Sequence, residues 1–122
     1  MIGKLTTIML IVKDMDRSVA FYRDVVGLKL EMQSPEWSSL SAGNITLGLH
    51  PESQYSKVSP TLGCTFGFEV SDIQTVVQQL KSKGAAMMLE PIPEDFGWLG
   101  IFTDPDGYAV QLVQLEPQAQ KA

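Results

Sequence analysis

The chain has 122 residues, 44% hydrophobic and 19% charged, with a net charge of −5. That is enough chain and enough apolar content for one folded domain, and it excludes an intrinsically disordered segment. The acidic balance argues against a nucleic-acid partner, and no apolar run approaches the length of a membrane span.

The first apolar run, Ile8 to Val12, stops at Lys13 and Asp14, too short for a signal-peptide core, so a cytoplasmic protein is expected. It reads as a strand. A helix follows Asp14, a good N-cap, with Met15, Val19, Tyr22 and Val26 on one face and Gly27 as its stop. Three strand-like runs come next, near 28–33, 37–41 and 45–50. Residues 51–63, rich in Ser and Pro, read as a linker. Then the pattern repeats. Thr7, Val12 and Asp14 recur as Thr65, Val70 and Asp72, each shifted by 58. Ile73, Val76, Val77 and Leu80 form the stripe of a second helix that Gly84 ends. Three more strands are expected near 85–89, 98–103 and 108–115, the last two joined by an Asp104-Pro105-Asp106-Gly107 turn. The expected organisation is a single domain. Module one covers 1–50, module two 64–115, and 116–122 is a tail.

Side chains alternate across a strand, so each run sorts into two faces. Ile8, Leu10, Val12, Ile45, Leu47, Leu49, Cys64, Phe66, Phe68, Val70, Tyr108, Val110 and Leu112 form an almost uniformly apolar face that belongs under the helices. The opposite face carries Thr7, Met9, Ile11, Thr46, Gly48, His50, Thr65, Gly67, Glu69, Ala109, Gln111 and Val113. Such a mixed face is either half solvated or curled around a ligand, and its glycines and Glu69 favour the second. The expected fold is α+β: two tandem βαβββ modules forming a cupped mixed sheet with helices on the outer face.

The stretch Val19-Ala20-Phe21-Tyr22-Arg23-Asp24-Val25-Val26-Gly27-Leu28 and the turn Asp104-Pro105-Asp106-Gly107-Tyr108 resemble the signatures of the vicinal oxygen chelate superfamily. That group includes glyoxalases, extradiol dioxygenases, fosfomycin-resistance enzymes and bleomycin-binding proteins. The resemblance runs through both halves of the chain. It implies four metal-ligand positions, one early in the first strand and one in the last strand of each module. Here those positions read Thr7, Gly48, Thr65 and Gln111. Divalent metals in such sites need carboxylate or imidazole donors, so no metal and no other cofactor is expected. With Cys64 the single cysteine and His50 the single histidine, neither a disulfide nor a Cys/His cluster can form within the chain.

Two residues are weak candidates for proton transfer. His50 reads first as a solvated strand end before Pro51, and second as a ligand contact or general base. Glu69 reads equally as a rim carboxylate or as an acid, base or counter-charge at a cavity floor. Thr7, Met9, Thr46, His50, Thr65, Glu69 and Gln111 form the expected ligand-binding set. Trp37 and Trp98 read first as core or interface residues and second as rings that stack on a planar ligand, and the pattern leaves their faces open. The leading expectation is a metal-independent protein that binds a small organic molecule, acts as a homodimer and has no nucleic-acid or membrane partner. The rivals are an enzyme working without metal, and a lyase or dioxygenase whose metal sits on displaced ligands such as His50 and Glu69.

Overall fold

The computed structural model describes residues 2–54, 56–60 and 65–116. The chain divides into two compact units, 1–59 and 60–122. Each contains one βαβββ module, so the α+β architecture is as expected. In unit one, β1 (Thr7–Val12) leads into α1 (Met15–Ala20) and a π-helical segment (Phe21–Val26). The strands β2 (Lys29–Gln33), β3 (Ser38–Ala42) and β4 (Ile45–Pro51) follow. In unit two the order is β5 (Phe66–Glu69), α2 (Ile73–Ser82), β6 (Ala86–Glu94), β7 (Gly97–Thr103) and β8 (Ala109–Leu115). Each unit has a four-stranded mixed sheet, ordered β1-β4-β3-β2 in one and β5-β8-β7-β6 in the other. The first strand of each module runs parallel to the last, and the remaining pairs are antiparallel. A parallel pair needs a crossover connection, and the helix supplies part of it.

Local chemistry explains the helix ends. The Asp14 carboxylate accepts from Arg17 N at 3.1 Å, and Asp72 accepts from Thr75 N at 3.2 Å and from its hydroxyl at 2.9 Å. Gly27 and Gly84 take positive φ angles, 92° and 91°, that stop each helix without a Cβ clash. The expectation of one uniform helix to Val26 needs correcting in its second half. Gly27 N bonds back five residues to Tyr22 O at 3.1 Å, a π-type turn, and the wholly buried Tyr22 sits inside that segment.

The core of unit one joins Leu10, Val12, Leu40, Leu47 and Leu49 to Val19 and Tyr22. That of unit two joins Phe102, Val110 and Leu112 to Ile73, Val77 and Leu80. Each such side chain removed from water contributes about 1.5–3 kcal/mol. The helix side of the second sheet is fixed directly, since a Cβ at Gly100 would lie 3.5 Å from Ile73 Cδ1. The sixth strand runs on to Glu94, well past the expected stop at Leu89, because the prolines at 91 and 93 fall on the edge of the sheet. An edge strand does not need every N–H for its ladder. Cys64, expected on the helix side, and the tail beyond Glu116 lie outside the described residues. The first tail residue, Glu116, is anchored, its N donating to Phe96 O at 3.0 Å.

Candidate functional site

The sheet face opposite the helix is the candidate surface in each unit, and strand register fixes which side chains share it. In unit one Thr7 pairs with Thr46, Met9 with Gly48 and Ile11 with His50. Gly48 pairs onward with Ser39, and Ser39 with Met32. A single row thus crosses the sheet as Met9, Gly48, Ser39 and Met32. Its two methionines are 51% and 53% exposed, unusual for large apolar side chains on a sheet. The next row is polar: Thr7, Thr46, Ser41 and Lys29.

Gly48 lies at the centre of this face, and it is buried although it has no side chain. The cover is Trp37. A Cβ built at Gly48 would overlap Trp37 Cη2 and come within 2.8 Å of Cζ2 and Cζ3. The outer edge of the six-membered ring therefore occupies the space where any side chain at residue 48 would begin. Trp37 itself remains partly exposed. Its loop is held by Ser34, whose hydroxyl donates to Trp37 O at 2.9 Å while accepting from Trp37 N at 3.1 Å.

In unit two Gly67 pairs with Gln111 and Glu69 with Val113. Gln111 continues to Ile101 and then Leu89, while Val113 continues to Leu99 and Ile92. Gly48 and Gln111 occupy equivalent places, each opposite the residue two positions after Thr7 or Thr65. Gly67 leaves room for its neighbour, since a Cβ there would stand 2.9 Å from Gln111 Cβ.

The remaining candidates are dispersed. Thr7 and Thr65 are exposed and Thr46 is half-buried. Glu69 is exposed, beside an open crevice of about 400 Å³ that Val70, Ser71 and Leu115 also line. The carboxylate is a rim group within its unit. His50 is half-buried, and its Nδ1 donates to Pro51 O at 2.8 Å. A second opening in unit one, about 490 Å³, lies between the start of α1 and the β2–β3 turn, near Lys13, Asp16 and Gln33. Neither opening includes Thr7, Gly48, Thr65 or Gln111. Trp98 pairs with Gln114 and shares the helix side with Gly100 and Phe102, so it belongs to the packed face.

The sequence pattern missed Trp37 as the cover of Gly48, and it missed Met32, Leu99 and Ile101 on the open faces. Continuing the alternation of Ser39 and Ser41 back to residue 37 points Trp37 to the open side; the bulge between Leu30 and Met32 breaks the same count on β2. A divalent metal does not fit the four positions. Two hydroxyls, one neutral amide and a glycine covered by an indole are a poor donor set. Among the described residues, no three His, Cys, Asp or Glu side chains gather as a metal would need.

A family sequence profile described as "Glyoxalase/Bleomycin resistance protein/Dioxygenase superfamily" matches residues 4–112. The chain belongs to that superfamily. A probable lactoylglutathione lyase from Synechocystis sp. is 31% identical over 123 residues, covering 87% of this chain and 91% of that protein. Lactoylglutathione lyase GLX1 from Arabidopsis thaliana is 32% identical over 120 residues, covering 87% of this chain. The chain spans only 42% of that plant relative's length. Among solved structures, the antibiotic binding protein TnmS3 from Streptomyces sp. CB03234 superposes with a TM-score of 0.81 at 21% identity. That match covers 94% of this chain and 98% of the other, and it establishes the shared superfamily fold. Among the described residues, no helix is long and apolar enough to cross a membrane.

Proposed function

We propose that this superfamily member binds a small organic molecule without a metal, on the open sheet faces, and that it works as a homodimer. The observation that carries this reading is the donor set itself: Thr7, Gly48 under Trp37, Thr65 and Gln111. Met9, Met32 and Ile11 offer apolar contact in one unit, and Leu99, Ile101 and Val113 in the other. Thr46, Thr65, Glu69 and Gln111 add hydrogen-bonding points. Ligand sites combine an apolar lining with a few placed polar groups in this way. The ligand class that suits the surface is planar or mixed apolar, of drug size, with at least one donor group for the carboxylate. TnmS3, an antibiotic binding protein of the same fold, agrees in kind.

A second reading is lactoylglutathione lyase activity, which the names of the relatives at about 30% identity favour. One experiment separates the two. The purified protein is assayed for lactoylglutathione formation with a chelator and with added divalent metal, and it is melted against a panel of metabolites and antibiotics. The proposed function predicts no turnover in either condition, less than stoichiometric metal, and a raised melting temperature with some organic ligand. Metal-dependent turnover, with about one metal per chain, would replace it with the lyase reading.

A further inference from the structure

At residue 48, one of the four metal-ligand positions that the superfamily resemblance implies, the chain lacks more than a donor side chain. The space has been taken. The Trp37 ring edge sits where a Cβ at residue 48 would be; Trp37 immediately precedes β3, and Gly48 lies in the middle of the neighbouring strand β4. Gly48 is not one of the positive-φ glycines, so its backbone does not require glycine. The requirement comes from Trp37. The ring in turn needs the glycine, because any larger residue would lift it off the sheet. Around this pair the row holds two thioethers, Met9 and Met32, and no charged group.

We propose that Trp37 and Gly48 are a coupled pair that shuts the metal-ligand position of unit one and turns its open face into an aromatic and thioether surface, selective for ligands with a planar π ring. The coupling stands by itself; the ligand class rests on the binding function proposed above. One consequence is that a carboxylate introduced at residue 48 cannot reach the face while Trp37 remains. Rebuilding a metal site therefore needs changes at both residues. The indole supplies the recognition instead, since aromatic rings prefer offset or edge-to-face contact with another ring, and methionine sulfur adds favourable contact with aromatic edges.

The test is a double-mutant cycle, read first by melting temperature. With Trp37 present, Gly48→Ala should lower the melting temperature by several degrees, because the added methyl overlaps the ring. In a Trp37→Ala background the same Gly48→Ala change should be neutral or slightly stabilising, because it then only restricts the unfolded chain. An equal effect in both backgrounds overturns the coupling, whatever the protein binds. The second reading is NMR titration with 2-naphthol and with decahydro-2-naphthol, which share a hydroxyl and a two-ring skeleton but differ in aromaticity. Wild type should bind the aromatic probe from a few-fold to about tenfold more tightly, the range expected for ring contact. Trp37→Ala should abolish that preference. A coupled cycle with no aromatic preference in wild type overturns the ligand class. A preference that survives Trp37→Ala moves the surface elsewhere. If no organic molecule in either this titration or the wider panel binds, the proposed binding function fails while the cycle still decides the coupling.

Discussion

Asp104 holds the turn between β7 and β8 from inside. Its Oδ1 accepts from Asp106 N and from Tyr108 N, each at 2.9 Å, and Gly107 N donates to Asp104 O at 3.0 Å. The residue is only 5% exposed, so these bonds are poorly replaced by water. Asp104→Ala should cost about 1–3 kcal/mol in urea unfolding, the range for leaving such donors unpaired. Asp104→Asn keeps an acceptor oxygen and should cost clearly less; an equal loss for both would mean that charge, not the acceptor geometry, holds the turn. That turn was legible in sequence because Asp, Pro and Gly act within four residues of one another. That Gly48 and Gln111 share the open faces with Met9 and Gly67 was legible too, from alternation, whereas which residues pair across the strands was not. Trp37 was not. Where its ring lies depends on what residue 48 lacks, eleven positions away in the chain and one strand across the sheet. Nor did the sequence show that Glu69 sits in water, since its apolar strand neighbours Phe66 and Phe68 point to the other face.

The helix α2 joins its sheet through its first turn. Ile73 N donates to Gln114 Oε1 at 2.7 Å, and Gln114 Nε2 donates to Glu116 Oε1 at 3.1 Å, so β8 caps the helix from the side. Asp72 caps it from the front. Its bonds from Thr75, first the backbone N–H and then the hydroxyl, hold the carboxyl below its ordinary range, against a smaller opposing effect of burial. A depressed carboxylate pKa adds stability that is present above the unfolded value and is lost as pH falls through the folded one. The cap contribution should therefore be whole at neutral pH and disappear as the pH drops below about 4, the ordinary carboxylate value. Asp72→Asn should flatten that part of the stability-versus-pH curve. A variant whose acid limb overlays wild type would show that other carboxylates set it. Strands and helices were legible as elements because their apolar periods differ. The π turn was not, since one extra residue over six leaves the apolar stripe almost unchanged. Nor was the length of β6, which runs on through Pro91 and Pro93 at the edge of its sheet.

At the scale of the whole molecule, the proposed homodimer makes its own prediction for the open face of unit one. Within the chain, Met9, Met32 and Met88 are exposed to similar degrees, 51%, 53% and 59%. Two of them belong to the row that runs past Gly48, while Met88 sits at an irregularity of the edge strand β6. A homodimer that walls in the open faces would break this equality, and thioether oxidation by dilute peroxide reports it, because conversion to the sulfoxide follows access. Light scattering at micromolar concentration should give twice the mass of the chain. Under the same conditions, peptide mass spectrometry should find Met9 and Met32 oxidised several-fold more slowly than Met88, and a ligand that raises the melting temperature should widen the gap. A single-chain mass would remove the dimer. A dimer in which all three methionines oxidise at the same rate would place the contact on some other surface, and the open face of unit one would then meet its ligand with no wall from a second copy.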